Sequence, residues 1–340
     1  MIRTTFDRRE ILKSLGWLAG VAAATVPQNN ALSAMPAEQL QRTLGYLGYL
    51  PPDMVTGFPD ELTERALVRF KRHATKPYRI SPRGKPEPDL KPSERFAEEA
   101  DPVLTEHTVL EMRRWIDRGW RLPLGRFKFE CLADNPQKAS FSLKWSFLRE
   151  DAAKQWKAAV REAQRRGTKL AEPYGDTQRP LGYDRTEGVS RTSFHITGRA
   201  VDVNQGFAQG RGQRYYLSPE EHNGRMYFRL YCTTAQQNGS QGVLIDDGKV
   251  RTWRAGLRGE VYLPRGYYID LTALLETVQF ERIAANDGWE KYDIYSEWWH
   301  YQYGVDKQVT FLEECELVGI GEKRLREANY TIDEMDGEPG

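Results

Sequence analysis

Residues 76–102, KPYRISPRGKPEPDLKPSERFAEEADP, interrupt the chain more firmly than any other stretch. Proline recurs through them, charge is dense and apolar residues are sparse, so neither a helical nor a strand period can establish itself there. A chain of 340 residues broken in this way is expected to fold as two bodies. We read residues 35–75 as a small helical module, 76–122 as a linker followed by a helix, 123–330 as the larger domain and 331–340 as a loose acidic tail. With 9 Trp and 17 Tyr among 39% hydrophobic residues, the larger domain can build a proper core. The formal net charge is only +1 with 29% charged residues, so no global basic field invites nucleic acid.

Residues 1–34 stand outside the fold. Arg3, Arg8 and Arg9 precede an apolar run from Leu15 to Val26, which is a secretory layout and too short for a comfortable membrane span. RREILK resembles the twin-arginine export signal, with Asp7 where that signal often has Ser or Thr, and cleavage is expected after Ala24 or Ala34. The resemblance implies a periplasmic or other extracytoplasmic location with no stable span after signal removal. Cys131, Cys232 and Cys315 show no CxxC spacing, so at most one disulfide is available and the chain is not a disulfide scaffold.

In the helical module, Leu40, Leu44 and Leu47 recur at helical spacing, as do Ala66, Leu67 and Phe70. Leu40-Gln41, Gly48-Tyr49, Gly57 and Thr63 together resemble the peptidoglycan-binding modules of bacterial wall enzymes, although Lys71 stands where Gln often follows the Phe. That resemblance implies a small all-α fold able to contact glycan. In the larger domain, FSLKWSF alternates Phe141, Leu143, Trp145 and Phe147 as a half-buried strand. Residues 150–166 place Trp156, Ala159, Val160 and Ala163 on one helical face. Ser218-Pro219-Glu220-Glu221 reads as a capped helix start, with His222 on the surface behind it. Strands and helices mixed without a regular βαβ repeat indicate α+β.

Chemistry concentrates in two stretches about a hundred residues apart, SFHITGRAVDV at 193–203 and SEWWHYQY at 296–303. A two-residue turn at Thr197-Gly198 would pair the strands so that Ser193, His195, Ala200 and Asp202 share one face. His195 and Asp202 would then reach one metal ion, and His300 would complete a set of three ligands with an open fourth position, the pattern of catalytic zinc. Glu297, expected at a turn just before a strand beginning near His300, would act as base rather than ligand. Trp298 and Trp299 would wall the site. Taken singly, each His would read as a core imidazole bonded to backbone; jointly they read as a site.

S-x-H-x-x-G-x-A-x-D followed by E-x-W-H resembles the signature of the zinc D-alanyl-D-alanine carboxypeptidases and dipeptidases, whose LAS-type fold extends to the hedgehog-like proteins. Ser193, His195, Gly198, Ala200 and Asp202 match the first motif, and Glu297, Trp299 and His300 match the second. The resemblance implies a small antiparallel sheet flanked by helices, zinc, peptidoglycan stem peptides as substrate, and Ser193 and Trp298 as substrate contacts. It also implies an Arg that steadies the developing oxyanion. Arg179, in Gln178-Arg179-Pro180, occupies the expected place although Gln replaces the usual Tyr, and Arg185 and Arg191 compete with it. Carboxypeptidase, dipeptidase and endopeptidase actions all remain open, as does a wall-binding protein with a structural zinc. GLRGE and GIGE lack a strand-to-helix setting for phosphate, and neither GxSxG nor SxxK occurs, which leaves serine nucleophiles unsupported.

Overall fold

A computed structural model describes Ile11 and residues 35–81, 85–168, 170, 174–182, 190–208, 213–254, 261–304 and 309–339. The expected export signal at 1–34, Ile11 aside, and Arg185 lie outside the described residues. The chain divides into two compact units, Met1–Arg126 and Phe127–Gly340.

The first unit is helical: α1 (Ala37–Leu47), α2 (Glu61–Thr75) and α3 (Glu106–Arg118). Leu44, Leu47, Leu67, Phe70, Trp115 and Ile116 are buried together. The motif residues of this unit prove to be its staples. The Gln41 amide donates to Thr56 Oγ1, Phe58 O and Thr63 Oγ1 and accepts from the Thr56 and Gly57 N–H groups, so one side chain fixes the turn between α1 and α2. Lys71 is buried and pairs with Asp101 at 2.6 Å. Residues 76–102 are not the free linker their composition suggests. Arg79 and Phe96 are buried, and the Arg79 guanidinium donates to the carbonyls of Ala74, Lys76 and Tyr78, closing the end of α2 while lying over Trp115 and Trp120. A proline-rich segment can coat a core when a side chain supplies the hydrogen bonds its backbone cannot make.

The second unit is α+β. β1 (Phe129–Cys131) pairs with β2 (Phe147–Arg149), and α4 (Phe141–Lys144) lies between them. α5 (Glu150–Arg165) then buries Trp156, Ala159 and Ala163 as its spacing predicts. β3 (Ala200–Asp202) is followed by β4 (Tyr215–His222) and β5 (Arg225–Thr233), then β6 (Val243–Ile245), β7 (Arg251–Thr252), β8 (Val261–Tyr262) and β9 (Gly266–Asp270). After α6 (Leu271–Glu276) come β10 (Phe280–Arg282) and β11 (His300–Tyr303), and α7 (Phe311–Leu317), α8 (Glu322–Glu327) and α9 (Ile332–Asp336) end the chain. The strands form small antiparallel sheets: β10-β11-β3, β4-β5-β9-β6 and two pairs.

Three local readings are corrected. Phe141–Lys144 is a helical turn, because Lys144 N and Trp145 N bond back to Ser140 O and Ser142 O; only Phe147 enters a strand. Ser218–Glu221 lies inside β4, paired with β5 along its whole length, and Pro219 is tolerated because β4 is an edge strand. The tail is not loose up to Asp336: Thr331 and Glu334 form a capping box on α9, and Met335 is fully buried against Phe311 and Leu325. The three cysteines are free, with no disulfide among them.

Candidate metal centre

The expected hairpin at 193–203 does not form, yet its residues still converge. Residues 193–199 wind through successive turns, with Ile196 N bonding Ser193 O, Gly198 N bonding His195 O and Arg199 N bonding Phe194 O. These local bonds replace the ladder that a hairpin would have needed, and β3 pairs instead with β11 in the register His300↔Asp202. Directly opposed residues of an antiparallel pair share a face, which sets Asp202 beside His300. The coil then returns His195 to the same point.

Segment 174–179 holds the other side. Gly175 N bonds Asp202 O at 2.9 Å, Asp202 N bonds Asp176 O at 2.8 Å and Arg179 N bonds His195 O at 3.0 Å. Gly175 is demanded by this closeness, since a Cβ there would meet Asp202 Cβ at 2.8 Å.

His195, Asp202 and His300 are all buried. His195 Nε2 lies 3.2 Å from Asp202 Oδ1 and 3.2 Å from His300 Nδ1, and His300 Nδ1 lies 3.0 Å from Asp202 Oδ1. The far ring atoms decide what these near atoms carry. His195 Nδ1 is 2.6 Å from Thr177 O, which can only accept, so the imidazole proton sits on Nδ1 and Nε2 presents a lone pair. His300 Nε2 lies 3.1 Å from the side-chain amide nitrogen of Gln302, which can only donate. His195 Nε2, His300 Nδ1 and Asp202 Oδ1 thus converge on one point. Zinc bonds of about 2.0–2.1 Å in a tetrahedron hold ligand atoms about 3.3 Å apart, close to the spacing here. The cluster can hold a metal ion. Burial alone would raise the Asp202 carboxyl, but the nearness of His195 and His300 holds it well below the usual carboxylate range.

Glu297 is at a turn and His300 opens β11, both as expected. Glu297 adopts φ +50, the left-handed region, with its carbonyl accepting from His300 N at 3.1 Å. A non-glycine residue held in that region is a local strain of the kind that collects at functional sites. Its carboxyl is half-buried and pushed up chiefly by that burial; His300 and Arg179 oppose the rise and Asp202 adds to it. Asn286 Nδ2 reaches its Oε1 at 3.4 Å.

Two of the three candidate arginines, Arg179 and Arg191, lie among the described residues and are placed differently. Arg179 is mostly buried, donates through Nε to Asp176 Oδ2 at 2.8 Å, and brings one terminal nitrogen to 4.0 Å from Asp202 Oδ2. Arg191 instead pairs with Glu334 and stacks on Tyr330. Two expected substrate contacts are placed elsewhere. The Ser193 hydroxyl is buried and accepts from His195 N at 3.3 Å, which steadies the ligand's own backbone. Trp298 and Trp299 are buried in the core, so they back the site rather than face a substrate. Gln302 and Thr177 were not foreseen. Gln302 had a signal, since it lies two residues beyond His300 on a strand and so shares its face. Thr177 contributes only a carbonyl, which leaves no mark on residue type.

No family model matches the chain, and the curated proteins and solved structures likewise gave no match. Among the described residues, no helix is long and apolar enough to cross a membrane.

Proposed function

We propose that this chain is an exported zinc metallopeptidase that hydrolyses peptidoglycan stem peptides, acting as a D-alanyl-D-alanine carboxypeptidase. One observation carries the reading: three buried ligand atoms from His195, Asp202 and His300 lie 3.0–3.2 Å apart, with Glu297 beside them but outside the set. Two imidazoles and one carboxylate suit zinc, whereas calcium and magnesium prefer oxygen alone. Zinc held there supplies Lewis acidity and acidifies water.

The chain's own residues do the rest. Glu297 accepts a proton from the attacking water and returns it to the leaving amine; the burial that raises its carboxyl makes the protonated form accessible. Arg179, anchored by Asp176, offers positive charge to the oxygen of the reacting carbonyl. Thr177 keeps the His195 imidazole in the tautomer that presents a lone pair on Nε2, and Gln302 orients the His300 ring through its far nitrogen. The Arg8-Arg9 pattern and the motif residues of the first unit support export and a wall substrate.

Purified protein given zinc should bind one ion and release D-Ala from stem pentapeptides, as read by mass spectrometry. Glu297→Gln should keep the ion and lose about 10²–10⁴-fold in turnover. His195→Ala should lose the ion itself. Full turnover by Glu297→Gln would sink the assignment of the base, and a wild-type protein that takes up no zinc would sink the centre. A two-residue product or cleaved cross-linked dimers would move the activity to a dipeptidase or an endopeptidase.

A further inference from the structure

Three charges are buried together among the elements that carry the metal ligands. Arg149 at the end of β2, Arg199 just before β3 and Glu314 on α7 are all closed off from solvent. Glu314 Oε2 accepts from Arg149 Nη1 at 2.9 Å and Oε1 accepts from Arg199 Nη1 at 2.5 Å, so one carboxylate bridges two guanidiniums. Asp151 takes the remaining edge of Arg149, accepting from Nε at 2.8 Å and Nη2 at 2.9 Å. Each guanidinium also lies over a ring, Arg149 over Phe127 and Arg199 over Phe194. A buried ion cluster is weak evidence for stability, because apolar side chains of similar volume often serve as well or better. What an arginine fork adds is direction, since its planar donors fix where their acceptors lie.

The acceptors of Arg199 lie on the strand that carries His300. Arg199 Nε and Nη2 donate to Tyr303 O at 2.9 and 2.6 Å, and Nη2 also donates to Gly304 O. The Arg199 carbonyl in turn accepts from Tyr303 N at 2.7 Å. Tyr303 ends β11, which His300 opens. On its other side, Arg199 N donates to Phe194 O at 2.9 Å, spanning the turn that holds His195. One residue therefore grips both segments that supply an imidazole, and Asp202 follows it three positions on, in β3. Glu314 fixes that grip from α7, and Arg149 extends it to β2, where its N–H donates to Gly198 O at 2.8 Å.

We infer that Arg199, held by Glu314, is the positioning residue of the metal centre: it sets the separation of the two imidazoles, so that the ligand atoms converge before an ion arrives. His195 and His300 come from a coil and a strand about a hundred residues apart in sequence. Any freedom left between those segments would have to be lost when metal binds, and binding would weaken accordingly. Arg199 and Glu314 are not ligands; they act through the backbone on which the ligands stand. The inference rests on the reading of His195, Asp202 and His300 as zinc ligands, and it holds whichever peptide bond is cut.

The test titrates zinc into the metal-free full chain against a chelating indicator, with no peptide present. Arg199→Lys keeps the charge, but an ammonium cannot hold Tyr303 O, Gly304 O and the Glu314 carboxylate in one plane. Glu314→Gln keeps the shape and removes the bridging charge. Circular dichroism checks that each is folded, and either folded variant decides. Both should bind zinc about 10–100-fold more weakly than the wild type, the loss expected when a partner that orients a ligand is removed. With cobalt(II) in place of zinc, both should show altered visible absorption bands, because those bands follow ligand geometry. The control is Leu325→Ala, which opens a cavity in the apolar cluster around α7 and leaves the ion cluster in place. All three variants should lower the urea midpoint of the metal-free protein, but Leu325→Ala should keep the wild-type zinc affinity and cobalt spectrum. Wild-type zinc affinity in Arg199→Lys and Glu314→Gln overturns the inference. An equal loss in Leu325→Ala also overturns it, by reducing the effect to general stability. If the wild type itself takes up no zinc, the centre falls and the positioning role falls with it.

Discussion

Gly198 shows how tightly single positions are constrained around the centre. Its φ of +68 is open to few side chains, and a Cβ would lie 2.6 Å from the Phe129 ring and 2.7 Å from Arg149 N. Its carbonyl also accepts from Arg149 N at 2.8 Å, so the coil carrying His195 is locked to β2 at this point. The left-handed backbone costs an alanine about 1–2 kcal/mol, and the overpacking about 1–3 more. Gly198→Ala should therefore lose about 2–5 kcal/mol, seen as a lower urea midpoint, and an unchanged midpoint would refute the packing argument. At this scale the sequence was most readable. A His, an Asp, a His and a Glu set among apolar neighbours are too costly to bury without purpose, so residue type alone pointed to them. What it could not show was direction. Ser193 and Trp298 carry the right chemistry but are turned inward by local hydrogen bonding and by the core.

Among elements, legibility followed the origin of the stabilising contacts. Helices α2 and α3 have their own period and caps, and α5 its own period, so they could be read. The strands depend on partners remote in sequence. β3 has only three residues and takes its register from β11, so the local hairpin reading of 193–203 failed while the shared face survived. One strong local signal was passed over. Asn223-Gly224, both at positive φ, closes the β4–β5 hairpin in the mirror-image turn that asparagine-glycine favours. Within that pair, Glu220 of β4 accepts from Arg229 of β5 and, at 2.6 Å, from Arg282 of β10, joining two sheets. Burial alone would raise the Glu220 carboxyl, but these two guanidinium bonds hold it at about 2. Its folded value lies below its unfolded one, so the unfolded state binds more protons in between. The contribution is full above about pH 5 and is lost as pH falls towards 2. Because the carboxylate is partly exposed, screening limits the effect to about 1 kcal/mol, or about 2–4 °C in Tm. The Tm gap between wild type and Glu220→Gln should therefore close between pH 5 and pH 2. A gap independent of pH would remove the linkage.

At the scale of the molecule, each unit has its own buried core, so each is expected to melt as its own cooperative transition. The division was legible in the proline-rich stretch, but its boundary was not, because Arg79 and Phe96 draw that stretch into the first core. The metal ligands all belong to the second unit. Zinc binds their lone pairs only when the fold brings them together, so its binding free energy adds to the stability of that unit alone. At free zinc a hundredfold above Kd, the gain is about 2.7 kcal/mol. For a unit of this size that raises Tm by about 5–11 °C. Calorimetry of the full chain should show two transitions, with chelator lowering only one. His300→Ala should abolish the chelator's effect without moving the other transition. If chelator lowers both transitions equally, or neither, then His195, Asp202 and His300 are not the ligands that couple metal to the fold.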